Sequence, residues 1–306
     1  MMSAFRVFCG ALPLAALQLA TAGAVAAQET FSPVTELDSN APEAWALRYF
    51  TSASLFTGAG PAERRAPGAL DFSLETIWVP ELHKEQRTVG YGGAKEEELN
   101  RSPVWARLRA KVALPAGWEA EAGYIPPLEI DGVKANLFAF AIGRQLARSG
   151  PFALGVRLHL QRGKAKGDFT CKEGKDHLFP VGSEQNPFGC EAPSKDEVSL
   201  DSTGLELTGS WNLGDRKPTL HAAVSYNRMD VEFQVDALTF GIHDRSLLQN
   251  EGDTVTFATG ATFAVWGASS LGFEVLYAPL DIKRPGQEEE DDSLLHARAL
   301  FRVPLR

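Results

Sequence analysis

Charged side chains recur at every second position in several stretches of this 306-residue chain. Arg107, Arg109 and Lys111 alternate with Ala106, Leu108, Ala110 and Val112. Glu119 and Glu121 alternate with Trp118, Ala120 and Ala122. Arg157 and His159, Glu206, His221, Glu274, Arg298 and Arg302 stand in similar surroundings. Three kinds of chemistry are open to such residues. Histidine beside serine or aspartate serves hydrolysis, and His159, His221 and His296 alternate with apolar residues, Ser225 sharing a face with His221. His83, His177 and His243 lie in or near loops, the last two beside Asp176 and Asp244. The acidic run Glu288 to Asp292 offers hard oxygen ligands to divalent cations, or serves as a solvated loop. No Gly-rich phosphate loop, Gly-x-Ser-x-Gly or His-Glu-x-x-His occurs, so the spacing carries no catalytic signature. The third use is an ion-pair ladder or a polar path for solute, made of Arg107, Arg109, Lys111, Glu119, Glu121, Arg157, His159, Glu206, His221, Glu274, Arg298 and Arg302. No catalytic residue, metal ligand set or cofactor is assigned, and the expectation is that the protein is not an enzyme.

Period two means strand, with successive side chains on opposite faces. Val104 to Leu114 and Trp118 to Tyr124 read as a hairpin about Pro115-Ala116-Gly117, placing Lys111 opposite Glu121 and leaving one face wholly apolar. The same pattern predicts ten strands from Gly68 onward. Connections alternate in length. Pro115–Gly117, Ser149–Pro151, Gly214–Pro218 and Gly267–Ser270 are short. Glu81–Ser102, Gly163–Ser199, Ala237–Gly252 and Arg284–Ser293 are long, and Pro126–Gly132 is intermediate. In the strand from Leu220 the apolar phase slips by one after Asn227, which reads as a β-bulge. Residues 43–57 fit a strand through Trp45, Leu47, Tyr49, Ala53 and Leu55. They fit a helix less well, through Trp45, Arg48, Tyr49, Ser52 and Phe56.

Residues 1–27 read as a cleaved secretory signal peptide: Arg6, a short apolar run, and Ala24-Val25-Ala26-Ala27 before Gln28. Residues 28–67 form a lead-in that begins with a polar stretch read as flexible, and 68–306 form the strand-rich body. Cys171 and Cys190 are the cysteines left after export, and an exported even pair predicts a disulfide, worth roughly 3 kcal/mol for this loop. The formal net charge of −9 argues against nucleic acid as a partner.

Two architectures share this alternation. A soluble sandwich or lipocalin-like binder of an apolar ligand buries its apolar faces. A membrane barrel turns them to lipid. Segregated short and long connections, strands near the roughly 9–11 residues a tilted crossing needs, and aromatics at strand ends (Trp78, Trp118, Tyr124, Phe152, Trp211, Tyr226, Trp266, Tyr277) favour the barrel. From Gly68 to Arg306 the chain resembles the bacterial outer-membrane β-barrel class, although its end, Phe301 to Arg306, lacks the terminal aromatic residue common there. The resemblance implies an all-β, antiparallel up-and-down transmembrane barrel of about ten strands in the cell outer membrane. Both termini are expected on the periplasmic side, with lipid as partner and lipopolysaccharide with divalent cations at the loops. Closure would let Arg298 and Arg302 of the last strand meet Asp71 and Glu75 of the first. The functional expectation is a narrow passive channel for small solutes or a structural surface barrel, with a barrel hydrolase as the alternative of another class.

Overall fold

The computed structural model describes residues 29–305 apart from 102, 215 and 216. The expected signal peptide, residues 1–27, lies outside the described residues. Ten strands make up the body: β1 (Leu70–Trp78), β2 (Val104–Ala113), β3 (Trp118–Ile125), β4 (Val133–Ser149), β5 (Phe152–Gly167), β6 (Asp196–Asn212), β7 (Thr219–Gln234), β8 (Leu247–Ala264), β9 (Ser270–Ala278) and β10 (Leu294–Pro304). Each pairs antiparallel with the next, and β10 pairs with β1, opposing Arg302 to Ser73 and Leu300 to Glu75. This is one closed sheet, not the two open sheets of a sandwich. Lipid demands such closure, because nothing in hydrocarbon can satisfy an open strand edge.

The first hairpin shows how sequence sets register. Ala116 and Gly117 take φ of 58° and 77° in the turn, Leu114 N–H donates to the Trp118 carbonyl at 2.8 Å, and Lys111 stands opposite Glu121. Outward of the wall, Leu74, Leu108, Phe140, Leu158, Leu205, Phe257, Phe273 and Leu295 are each about half exposed. An exposed apolar belt of this size is a surface for lipid. Trp78, Tyr124, Tyr226 and Tyr277 lie towards the long-connection end, and Trp118, Phe152, Trp211 and Trp266 towards the short one.

Beyond the tyrosines the wall continues, and its two faces exchange chemistry. In β7, Ser225, Asn227, Met229 and Val231 are all buried, while Tyr226, Arg228 and Asp230 point out. The pairing of β7 with both neighbours runs without a shift. The bulge expected after Asn227 is therefore absent from β7. What slips is the apolar set, which moves from the outer face to the inner one where lipid gives way to water. Outward charges mark that level, with Lys166–Glu197 and Arg228–Glu251 ion pairs at 2.6 Å each. A register shift does occur between β4 and β5, at Leu154/Gly155.

The lead-in is ordered and lies inside the barrel. Glu29–Phe31 pairs in parallel with Ile242–Asp244, and Val34–Glu36 with Leu247–Gln249. Both partners belong to the long-connection end. Helix α1 (Pro42–Ser54) then descends the lumen, and the chain reaches β1 at the short-connection end, where Gly68 N–H donates to Ala113 O at 2.8 Å. The first described residues therefore sit at the opposite end from the C-terminal strand end, not beside it. The chain crosses the barrel once before the first strand; the N-terminus itself, expected on the same side as the C-terminus, lies outside the described residues. Helix α1 is buried on nearly every side. It packs Trp45, Leu47, Tyr49 and Ala53 in one cluster with Ile77, Trp105, Leu137, Leu200, Met229 and Leu276 from the wall.

Candidate functional site: a plugged, ion-paired lumen

A helix leaves its last four carbonyls without intrahelical partners, and α1 has no basic residue in its last turn. The wall supplies the donors. Arg107, on β2, donates to the Ser54 carbonyl and, at 3.3 Å, to that of Leu55. Arg157, on β5, donates to Phe56 O at 2.6 Å, and Arg109 to Thr57 O at 3.1 Å. Arg298, on β10, reaches the Thr57 hydroxyl at 2.7 Å, while Gly58 N–H donates to Glu206 at 2.7 Å. Cations at a helix C-terminus also meet the negative end of its dipole. The Phe56 ring lies among three guanidiniums, its centroid 4.5 Å from Arg109 and Arg157 and 5.2 Å from Arg107. Gly123 makes room for it, since a Cβ there would stand 2.6 Å from the ring.

Buried charges persist only when paired. Glu75 lies 3.2 Å from Arg107, 3.3 Å from Arg109 and 3.2 Å from Arg298. Glu121 meets Arg109 at 2.6 Å and Arg157 at 3.1 Å. Glu274 holds Arg298 and, at 2.9 Å, His221. Lys111–Glu119 closes the lower end at 3.2 Å. Arg107, Arg109, Arg157 and Arg298 are thus paired with Glu75, Glu121 and Glu274 within the wall itself. Of the strand-closure contacts expected, Arg298 meets Glu75. Arg302 instead bonds Glu63 of the descending segment at 3.2 Å, and Asp71 pairs with Arg65.

His159, His221 and His296 are all buried, and Ser225 shares the inward face of β7 with His221. Ser225 touches His159, at 3.2 Å, and not His221. Ser225 also donates to Asn227 Oδ1 at 3.0 Å. Both are buried. His243 pairs with Asp236 at 2.6 Å at the long-connection end, and Asp244 bonds Ser246. The acidic run is mostly exposed and has protein partners: Glu290 and Asp292 pair with Arg284, and Glu289 accepts from Asn40 at 3.1 Å. Among the described residues no cluster of three or more His, Cys, Asp or Glu could hold a metal ion. Cys171 and Cys190 form a disulfide in the connection between β5 and β6. Sequence periodicity placed the wall charges but missed the lead-in as their partner. Carbonyl acceptors leave no trace in side-chain patterns.

No family model matches the chain, and no curated protein matches it. Among solved structures it is similar to the outer membrane protease OmpT of Escherichia coli, at 10% identity and TM-score 0.39, covering 78% of this chain and 92% of that one. It is similar to the translocator domain of the autotransporter NalP of Neisseria meningitidis, at 9% identity and TM-score 0.42, covering 80% and 90%. An outer membrane channel of Pseudomonas putida F1 follows at 9% identity and TM-score 0.33, covering 81% and 100%. Closure of ten antiparallel strands, an apolar outer belt and an ion-paired interior give this chain the architecture of the bacterial outer-membrane β-barrels.

Proposed function

We propose that the protein is a gated conduit of the outer membrane, closed at rest by its own N-terminal segment and admitting small solutes when that segment shifts. One observation carries this reading. The central guanidiniums bind the plug largely through neutral carbonyls, while the wall glutamates already balance their charge. Withdrawal of Ser54–Thr57 exchanges those carbonyls for water and strands none of the four arginines. A plug that supplied the counter-charges would be a permanent core, because removing one partner of a buried pair costs roughly 3–5 kcal/mol. With the plug seated, the lumen holds a helix about 10 Å across, so free diffusion through a ten-strand barrel is blocked.

The test is planar-bilayer conductance of the intact protein, of a form lacking residues 29–66, and of Arg107→Ala/Arg157→Ala. The reading expects a silent intact barrel, steady conducting steps from the shortened form and brief openings from the double variant. A shortened form that folds, shifts on an unboiled gel and carries no current would make this a structural barrel.

A further inference from the structure

Above the plug, at the long-connection end, lies a cavity of about 410 Å³. Its floor is one face of α1 (Leu47, Phe50) and its sides come from Phe169, Phe233 and Leu248. The N-terminal segment closes part of the rim through Phe31, which is exposed. Seven chain segments converge on its largely apolar walls without filling the space. We propose that this chamber is a binding site for an uncharged aromatic or alicyclic molecule of two to three rings bearing one hydrogen-bonding group.

Size follows from volume. An apolar cavity of about 150 Å³ takes benzene, so this one holds a body two to three times larger, within the usual range of ligand pockets. Charge follows from the polar groups at the wall. Glu43 and Asp244 border the chamber beside Glu97, so an anionic ligand is disfavoured. Lys95, the neighbouring cation, is already engaged by Glu97 at 3.0 Å and by the Thr170 carbonyl. Glu97 remains as the polar contact for a hydroxyl or amide on the ligand. Burial outweighs the Lys95 ammonium beside it and pushes its carboxyl up to about 8, so at neutral pH it both donates and accepts. The site does not rest on gating: the seated helix forms its floor, and binding would persist if conductance never changed.

Equilibrium dialysis of 2-naphthol against the purified barrel in detergent, and against the same detergent alone, reads the site directly. The expected result is saturable binding of one molecule per barrel above the detergent blank. Leu47→Trp should weaken it at least tenfold while the unboiled barrel keeps its shifted mobility. Leu248→Trp, at a half-buried wall position, fills the same chamber should the helix variant fail to fold. Absence of saturable binding to the wild-type barrel overturns the proposal. So does undiminished binding in a folded tryptophan variant, or tighter binding of 1-naphthoate than of 2-naphthol.

Discussion

Glu75→Gln is the sharpest probe of the lumen. The side chain keeps its shape and loses its charge among three guanidiniums. Arg109 retains Glu121 at 2.6 Å, and Arg298 retains Glu274. Arg107 has no second carboxylate among its ion pairs and is left with carbonyl and amide oxygens, including Gln161 Oε1 at 2.9 Å. An uncompensated buried charge costs roughly 3–5 kcal/mol, so the substitution should destabilise the barrel by about that much. Arg107→Met alone leaves Glu75 with Arg109 and Arg298 and should cost less, about 1–3 kcal/mol. The double variant removes both charges together and should fall short of the sum by about 2–3 kcal/mol. The assay is the folded fraction on an unboiled gel across a urea series at equilibrium, extrapolated to zero denaturant. Additivity within about 0.5 kcal/mol, or a Glu75→Gln variant within about 1 kcal/mol of wild type, would refute the claim that Glu75 is the counter-charge of Arg107.

Four further outcomes follow from the same contacts. Gly123→Val drives a side chain into the space where a Cβ alone would stand 2.6 Å from the Phe56 ring; the barrel should still close, with the plug displaced and current steps appearing in a bilayer. Glu97, buried in the connection between β1 and β2, titrates near 8 when that connection is closed, against 4.5 ordinarily. The closed form therefore holds its full advantage below pH 4.5 and loses it as pH rises towards 8, so proteolysis of residues 79–103 should speed up over that window, and in Glu97→Gln it should not. Reducing Cys171–Cys190 should release roughly 3 kcal/mol of loop constraint, exposing residues 172–189 to protease while the heat-dependent gel shift stays unchanged. An epitope placed directly before Thr30 should be reached by antibody on intact cells, because Glu29–Phe31 pairs with Ile242–Asp244 at the long-connection end; detection only after the outer membrane is opened would reverse that orientation.

Alternation of Arg107, Arg109 and Lys111 with apolar neighbours was enough to specify strand, face and inward charge, because a pleated strand has a side-chain period of two whatever surrounds it. The ordering of short and long connections determined an up-and-down path, and the lack of any partner in lipid for an open edge required β10 to meet β1. The cysteine pair was legible for a similar reason: an exported chain with two cysteines left has one pairing available. Tertiary structure decided what fills the lumen. Helix α1 is enclosed on nearly all sides, so no polar face marks its period, and Trp45, Leu47, Tyr49, Ala53 and Leu55 read better as a strand. Its grip on the wall runs through the carbonyls of Ser54 to Thr57, which every residue carries and no sequence pattern displays. The change of phase at Asn227 was visible too, but its cause was not. An apolar residue looks the same whether it faces lipid or a buried helix, and only the closed barrel tells which side is which.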